Sequence, residues 1–304
     1  MTQIAATASP QAIPHRPVPT HAVAYQAQRH APAGAVAADL KFIVPQDTKP
    51  VFRSAALTGG KMEYDYAHEA HTVVIEDMRG IADTLSVDRE GFELLPHETA
   101  VADLYDDEAI DGAYRAEIEA LLRQRFGASR VAVFDVTRRS DNGSGARNPD
   151  GKRGPATQVH VDYTVKSGPK RAKDVLGEAE VDRLLAAGAR ILQVNVWRPI
   201  HGPVERSPLA VADASTVRPE ELIATDQVFP DRVGEIYNLA YAPTQRWYTA
   251  PRMTEDEVLL LKSWDSLDDG RARFAPHGAF NPPQVRPDAP PRESIEVRTY
   301  VVVE

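Results

Sequence analysis

A dense series of short β-branched segments fills the second half of this chain and sharply limits the folds open to it. Apolar and polar residues alternate in these segments, as side chains do on the two faces of a β-strand. The segments are QVHVDYTV, ARILQVNVWRPI, SPLAVADASTV, GEIYNLAYAPTQRWYTAPRM, EVLLLKSWDS, ARFAPHGAF and SIEVRTYVVV. Closely spaced strands of this number, within about the last 150 residues, predict a β-sandwich or β-barrel core.

Helical signals are fewer and lie mostly before that core. The segment DDEAIDGAYRAEIEALLRQRFG has acids in its first turn, arginines near its end and Gly127 as its last residue, which predicts a helix. GEAEVDRLLAAG predicts a second helix and RPEELIA a short third one. No phosphate-binding glycine motif opens a helix, and no internal repeat is present. We therefore expect a mainly β protein with flanking helices.

The composition changes clearly at one place near the N-terminus. Residues 1–38 are rich in Ala, Pro, Gln and His, which predicts a flexible N-terminal arm. We expect residues 39–304 to form a single domain, with its β core at about residues 155–304. The segment 142–154, rich in Gly, Asn and charged residues, precedes the core and is either a lid or an idle surface loop.

The charge and cysteine counts exclude several classes of protein. The chain has no cysteine, which rules out disulfides, thiolate catalysis and cysteine-ligated metals, whereas nine histidines and 44 acidic residues leave nitrogen and oxygen ligands available. A net charge of −9 argues against nucleic acid as a partner. No apolar run approaches the roughly 20 residues that span a bilayer, and the N-terminus does not resemble a secretory signal. We expect a cytoplasmic protein without a membrane partner.

The most informative residues are His160 and Asp162, which form an H-x-D triplet on a predicted strand. Residues i and i+2 of a strand point to the same face, so an imidazole and a carboxylate meet on one side. His277, on another predicted strand, is the best third ligand. Two histidines and one carboxylate form the facial triad of non-haem Fe(II) oxygenases. The ligands favour iron but leave zinc open, and a satisfied histidine beside a surface aspartate remains the plain structural alternative.

Two arginines on the last predicted strand suggest a site for a carboxylate. Arg292 and Ser294 form R-x-S at the start of this strand, and Arg298 lies on the same face. A buried guanidinium with a hydroxyl beside it can hold the far carboxylate of a dicarboxylic acid. The alternative is a charged edge strand in which these arginines pair with Glu293 and Glu296.

The order of these motifs resembles that of a known family. The segments HVDYT, NVWRPI, PLAVADAST, IYNLAYAPTQRWYTAPRM, LLLKSWDS, FAPHGAF and RESIEVRTYVV are similar to the hydroxylase/desaturase family of natural-product enzymes. The resemblance covers about Val159 to Val303, with weaker support from about Phe42. It implies a double-stranded β-helix (jelly-roll, cupin-like) core, bound Fe(II), 2-oxoglutarate and molecular oxygen as co-substrates.

The resemblance also assigns roles to individual residues. It implies that His160, Asp162 and His277 are the iron ligands. Arg292 is the first choice for the 2-oxoglutarate carboxylate and Arg298 the second, and the Pro-rich insert that lengthens the interval after His277 leaves the choice between them open. An aspartate in the H-x-D position argues against halogenation, since related halogenases have a small residue there.

Further residues are expected to line the site. Asn195 and Thr164 are candidates for contact with 2-oxoglutarate, with a polar core role as the alternative for Asn195. Trp247 and Tyr248 are candidates for substrate binding. Because neighbours on a strand face opposite ways, we expect one of these two aromatics to be ordinary core. Relatives of this type often form dimers, which the resemblance makes an option here, but the sequence itself leaves the oligomeric state open.

We therefore expect an Fe(II)- and 2-oxoglutarate-dependent oxygenase that hydroxylates or desaturates a small-molecule natural product or its precursor. The expected chemistry is hydrogen abstraction by an Fe(IV)-oxo group. One alternative is a 2-oxoglutarate-independent or zinc-dependent enzyme on the same fold. The other is a non-catalytic jelly-roll binding protein in which the H-x-D triplet is incidental.

Overall fold

The computed structural model describes residues 34–304 of the chain. Most of the arm predicted at residues 1–38 therefore lies outside the described residues, and residues 36–38 already belong to the first strand. The strands are β1 (Val36–Ile43), β2 (Val51–Arg53), β3 (Glu63–Tyr64), β4 (His68–Asp77), β5 (Phe92–Pro96), β6 (Arg130–Ser140), β7 (Ala146–Asn148), β8 (Gly151–Arg153), β9 (His160–Val161), β10 (Arg190–His201), β11 (Leu209–Ala212), β12 (Leu222–Val228), β13 (Val233–Leu239), β14 (Trp247–Thr249), β15 (Glu257–Asp265), β16 (His277–Ala279) and β17 (Glu293–Val303).

The helices are short and lie between the strands. The α-helices are α1 (Ala55–Thr58), α2 (Asp107–Ala109), α3 (Arg115–Phe126), α4 (Ser167–Leu176) and α5 (Glu178–Ala186). A π-helical turn, Ile110–Tyr114, joins α2 to α3, so the helix predicted to end at Gly127 is present but interrupted. Gly127 ends it in the left-handed conformation, where its N–H bonds to the carbonyl of Arg123. Short 3₁₀ turns occur at Met78–Thr84, Ala214–Thr216 and Pro219–Glu221.

Two β-sheets form the core of the molecule. The smaller sheet has the order β5-β15-β10-β17-β6, and the larger has the order β1-β4-β14-β11-β16-β9-β13-β12-β2-β3. Within them, β6-β17-β10-β15 and β9-β16-β11-β14 are the two four-stranded layers of a jelly roll. The predicted mainly β fold with a double-stranded β-helix core and flanking helices is confirmed.

Strands from before residue 155 are built into both layers. β6 pairs with β17 from Arg130 to Ser140, and β5 extends the same sheet on its other edge. β1 and β4 extend the larger sheet beyond β14. The jelly roll therefore draws on a longer stretch of chain than the expected core at about 155–304.

Alternate residues of β10 separate the interior of the jelly roll from the helical layer. Trp197 packs between the sheets with Leu259, Val211 and Tyr248. Val196, one position away, packs on the other side of the sheet in the cluster that contains the buried side chains of α3. This alternation follows the period of two that was read from the sequence.

Several local predictions differ from the structure. Only His160–Val161 and His277–Ala279 are strand within the segments predicted around them, because β9 and β16 pair with their neighbours over these residues alone. RPEELIA forms a single 3₁₀ turn at Pro219–Glu221, because the residues that follow pair along the whole of β13 as strand β12.

Several short elements were not predicted, among them a hairpin and a helix. The 142–154 loop contains the hairpin β7–β8. Helix α4 was hidden by a Gly-Pro pair in its first turn. Gly168 is required there by packing, because a Cβ at this position would lie 2.4 Å from Cγ of Trp264. None of the helices in residues 34–304 is long and apolar enough to cross a bilayer.

Candidate metal centre and arginine pocket

His160 and His277 are brought together by strand pairing. They are directly opposite each other where β9 meets β16, and their ring centroids are 4.7 Å apart. Opposed residues of antiparallel strands present their side chains on the same face. Two residues that are 117 positions apart in the chain therefore share one surface inside the barrel.

Both rings are oriented by the same kind of backbone contact. Nδ1 of His160 lies 2.9 Å from the carbonyl oxygen of Gln158, and Nδ1 of His277 lies 2.9 Å from that of Ala275. A carbonyl only accepts, so Nδ1 carries the proton in each ring and Nε2 keeps its lone pair. This second hydrogen bond is the usual support of a metal-binding histidine.

Asp162 lies just past the end of β9, and its two carboxylate oxygens have different neighbours. Oδ2 accepts hydrogen bonds from Nδ2 of Asn195 at 2.6 Å and from Nε of Arg298 at 3.1 Å. Oδ1 lies 3.6 Å from Nε2 of His160. One oxygen is thus fixed by the protein while the other faces the histidines.

The protonation states suit a metal site. Burial alone would raise the pKa of Asp162, but the Arg298 guanidinium and the two histidines hold it well below its usual range. Burial, with the neighbouring His160, lowers the pKa of His277 to about 4. At neutral pH the carboxylate is therefore charged and His277 is neutral, as ligands must be.

The residues present fit a divalent metal by donor type and position. Two ligand atoms about 2.1 Å from a metal and at right angles would be about 3 Å apart, which is close to the 3.6 Å between His160 and Asp162. Within residues 34–304, however, no three His, Asp or Glu side chains lie close enough together to coordinate one metal ion as they stand. The donor types and the spacing of His160 and Asp162 fit a metal, whereas the three side chains do not converge on one point in this structure.

Arg298 forms ion pairs with three carboxylates near this centre. Besides Asp162, its guanidinium contacts Asp135, which is directly opposite on β6, and Glu296 on its own strand. These charges raise the pKa of Arg298 well above its ordinary value, although burial alone would lower it. Arg298 therefore supports a candidate ligand and has little capacity left for a second anion.

Arg292 has a different environment at the start of the same strand. It is 2% exposed, its Nη1 donates to the carbonyl of Ser207 at 2.7 Å, and Cζ lies 5.9 Å from the ring centre of Trp197. Its Nε has no hydrogen-bond partner among the described residues. Burial, with the nearby charge of Arg139, lowers the pKa of Arg292 to about 10. Of the two arginines, Arg292 is the one with free hydrogen-bond donors.

Ser294 lies on the same face, two positions further along. It is buried, and it is opposite Pro199 on one side and Arg139 on the other. The R-x-S arrangement read from the sequence therefore places a guanidinium and a hydroxyl on one interior surface.

The remaining sequence candidates have mixed outcomes. The structure corrects the prediction for Thr164: its hydroxyl bonds to Glu235 and accepts the N–H groups that begin α4, so it braces a turn rather than facing a cofactor. Asn195 is inside the barrel, but its amide is held between Asp162 and Gln193. Its burial is explained by support of the carboxylate, without a cofactor contact.

The adjacent aromatics Trp247 and Tyr248 face opposite ways, as expected. The structure corrects the prediction for Trp247, whose ring packs on Phe42 in the cluster outside the jelly roll. Tyr248 lies in the row His277, Val211, Tyr248 across β16, β11 and β14. At about 4.8 Å per strand, Tyr248 is roughly 10 Å from His277 on the same face.

Two interior residues were missed as site residues. Glu296 lies on the inner face between Ser294 and Arg298, and the period of two on β17 was sufficient to place it there. Arg139 is one of two consecutive arginines on β6, and such a pair on a strand must place one guanidinium on each face. From the sequence, Glu296 was considered only as a partner of the two arginines, and Arg139 was not considered.

Comparison with known proteins places this architecture in a family. The family model described as "Oxidoreductase/YMDC permease-like domain" matches residues 40–302. Hydroxylase/desaturase efuI of Hormonema carpetanum is 32% identical over 273 residues, covering 82% of this chain and 88% of that protein. The Fe(II)/2-oxoglutarate-dependent dioxygenase nvfI of Aspergillus novofumigatus is 33% identical over 251 residues, covering 80% and 87% of the two chains.

A solved structure agrees with the sequence comparisons. The iron and alpha-ketoglutarate-dependent endoperoxidase NvfI superposes with a TM-score of 0.78 at 29% identity, covering 89% of this chain and 98% of its own. The likeness extends over nearly all of the described residues, including both layers of the jelly roll.

Proposed function

Since the chain belongs to the hydroxylase/desaturase family of Fe(II)- and 2-oxoglutarate-dependent oxygenases, we propose that His160, Asp162 and His277 hold its iron. The protein is an oxidoreductase of secondary metabolism that uses Fe(II), 2-oxoglutarate and O₂ to hydroxylate or desaturate a small molecule. The ligand assignment is supported by the face that these three residues share. Nε2 of His160, Nε2 of His277 and Oδ1 of Asp162 lie on this face, while the other ring nitrogens are hydrogen-bonded to backbone carbonyls.

The chain positions the groups around the metal. Bound Fe(II), together with 2-oxoglutarate, supplies the activation of O₂ that oxidises an unreactive C–H bond, with release of CO₂ and succinate. The backbone carbonyls of Gln158 and Ala275 orient the two imidazoles. Arg298 and Asn195 fix Asp162 so that one oxygen faces the histidines. None of these residues needs to transfer a proton to the substrate.

We assign Arg292 and Ser294 to the distal carboxylate of 2-oxoglutarate. Arg298 lies six positions after Arg292, which in an extended strand is about 20 Å between their backbones. Two long side chains that reach toward each other leave room between them for a five-carbon dicarboxylate. Trp197, which packs against the Arg292 guanidinium, forms an apolar wall that excludes water from this ion pair.

The part of the interior on the Tyr248 side of His277 indicates what kind of substrate the protein binds. Val211 and Tyr248 continue the row that begins at His277, and apolar side chains of β5 and β15 lie opposite them. We propose that Tyr248 bounds the substrate cavity and that the substrate is a small, mostly apolar natural product or its precursor. The position of its C–H bond relative to the metal then decides between hydroxylation and desaturation.

The ligand assignment is tested by the spectrum of the reconstituted protein. Anaerobic Fe(II) and 2-oxoglutarate should give the wild type a weak visible charge-transfer band. His160→Gln, Asp162→Ala and His277→Gln should each abolish it, because each removes one of three ligands. His71→Gln is the control, since His71 stacks on Tyr241 and makes no contact with the candidate ligands. A charge-transfer band that persists in any of the three variants would show that the replaced residue is not a required metal ligand.

The assembly and location predicted from the sequence also remain proposals. We propose a homodimer that works in the cytoplasm on a small molecule and does not bind nucleic acid. Exposed apolar side chains near the edge strand β3, Met62, Tyr64 and Leu57, support an interface. The net charge of −9 supports the exclusion of nucleic acid. Light scattering after gel filtration should give twice the chain mass of 33.4 kDa, and fractionation of the producing cells tests the location.

A further inference from the structure

Arg139 lies on the interior face of β6, beside the proposed site for the distal carboxylate. It is directly opposite Ser294 on β17, so the two side chains share a face. Its neighbour Arg138 points the other way, toward the helical layer, where it bonds to the carbonyl of Leu104 and to Asp107. The two consecutive arginines therefore serve opposite sides of the sheet.

The guanidinium groups of Arg139 and Arg292 lack carboxylate partners among the described residues. Arg139 donates only to the carbonyl of Gly154, at 2.9 Å, and Arg292 only to that of Ser207. The nearest acids are otherwise engaged. Asp141 accepts from the backbone N–H of Arg292, from the Ser207 hydroxyl and from Arg206, and Glu296 is paired with Arg298.

Two neighbouring cations in a mostly buried place repel each other and lose hydration. The positive charge of Arg139 adds to burial in lowering the pKa of Arg292, and burial lowers the pKa of Arg139 itself. An anion between them would offset both costs. A carboxylate has two oxygens and about four lone-pair directions, which is enough for two guanidinium groups.

We propose that Arg139 is a second guanidinium for the distal carboxylate of 2-oxoglutarate and acts jointly with Arg292. This inference rests on the proposed function, since it names a further residue of the same pocket. It makes the site selective for dicarboxylic over monocarboxylic 2-oxo acids, because both cations act at the end of the molecule that pyruvate lacks. Arg139 also links the pocket to the segment after β8 through Gly154.

The rival role for Arg139 is anchoring of the β7–β8 hairpin alone. Equilibrium binding separates the two roles. It is measured by calorimetry on the Mn(II)-loaded protein, or by intrinsic tryptophan fluorescence, to which Trp197 beside Arg292 contributes. The ligands are 2-oxoglutarate and pyruvate. The variants are Arg139→Met, Arg139→Lys, Arg292→Met and, as a matched control on the same strand, the exposed Arg130→Met.

We expect Arg139→Met to weaken 2-oxoglutarate binding 10- to 100-fold, on the order of one or two charge-assisted hydrogen bonds. The affinity of Arg139→Met for pyruvate should change less than about twofold. Arg139→Lys should have an intermediate affinity for 2-oxoglutarate, and it replaces the Met variant if that variant does not fold. Wild-type affinity for 2-oxoglutarate in Arg139→Met, or equal weakening of both ligands, would overturn the inference. If the wild type binds no 2-oxoglutarate, the proposed function itself fails. If Arg292→Met has no effect, the assignment of the distal carboxylate to Arg292 fails.

Discussion

A single carboxylate shows how much of this site depends on contacts outside the candidate ligand set. Asp162 is kept charged and correctly turned by Arg298 and Asn195, which come from neighbouring strands β17 and β10. The imidazoles depend in the same way on two backbone carbonyls. The three candidate ligands are thus supported by atoms that cannot be identified from an H-x-D triplet.

Replacing Arg298 by Met should weaken divalent metal binding. The change removes a donor to Asp162 and leaves Asp135 and Glu296 without their shared cation. Partners of metal ligands typically contribute 10- to 100-fold in metal affinity, and we expect a loss in that range. Titration with Mn(II), followed by electron paramagnetic resonance, measures it directly.

The control for Arg298→Met is Arg183→Met, which removes an arginine exposed on α5 that is paired only with Glu180. It should leave Mn(II) affinity unchanged. Metal binding by Arg298→Met as tight as that of the wild type would show that Asp162 does not need the guanidinium.

Among the elements, β17 contributes most to the interior. Its alternate residues Ser294, Glu296 and Arg298 face the interior, with Arg292 directly before it, and it is hydrogen-bonded to β10 on one side and β6 on the other. A central strand held on both edges positions its side chains rigidly. The arginines of this strand are interior residues, so the alternative of a charged edge strand does not hold.

At its other end the smaller sheet is fastened by a buried ion network. The ammonium of Lys262 on β15 is fully buried and bonds to Asp265 at 2.8 Å, to Asp88 at 2.6 Å and to a backbone carbonyl. Arg190 of β10 contacts the same two acids. The network ties the loop that contains Asp88 to two strands of the layer.

Asp88→Asn should reduce stability in a pH-dependent way. Burial alone would raise the pKa of Asp88, but Arg190 and Lys262 hold it well below its ordinary value of 3.8. The folded state therefore binds this proton less readily than the unfolded state, so the contribution is present above pH 3.8 and is lost as the pH falls further. Because the side chain is partly exposed, we expect only about 1 kcal/mol at pH 7.

Thermal melts of the wild type and Asp88→Asn across the acid range check this expectation. Their difference in Tm should be present at pH 7 and shrink below about pH 4. The exposed Asp83→Asn is the control, since Asp83 forms no ion pair with the described residues. A difference that grows toward low pH would contradict the assigned pKa direction.

Over the whole molecule, the two layers depend on strands from both halves of the chain. β6 completes one layer of the jelly roll, and β1 and β4 cover the outer side of β14 with buried residues such as Phe42 and Ile75. The candidate metal ligands and the interior arginines Arg292 and Arg298 lie after residue 155, whereas Arg139 lies before it. Nevertheless, the sheet that holds the arginines is incomplete without residues 130–140.

A fragment of residues 155–304 should therefore fail to fold independently. It would leave β17 with an open edge and expose the apolar face that packs on α3. Circular dichroism and thermal melts, with residues 34–304 as the control, should show a cooperative transition only for the longer protein. A cooperative melt of the fragment would confine the folding unit to the second half.

The sequence by itself determined the features that depend on neighbouring residues. A period of two predicted the strands, the H-x-D triplet placed His160 and Asp162 on one face, and R-x-S did the same for Arg292 and Ser294. The resemblance to a family supplied the fold, the iron and the co-substrate, and the comparisons confirmed them.

Only the tertiary structure decided how distant residues share the interior. Strand pairing placed His277 opposite His160. It put the Arg298 guanidinium in hydrogen-bonding contact with Asp162, whereas Arg292 has no carboxylate partner among the described residues. It also placed the Trp247 ring outside the jelly roll and Tyr248 inside it. It also showed Thr164 to be a turn residue and placed Arg139 opposite Ser294 on the interior face. The physical reason is that local periodicity fixes which face of a strand a residue occupies, whereas sheet order and register fix what that face meets.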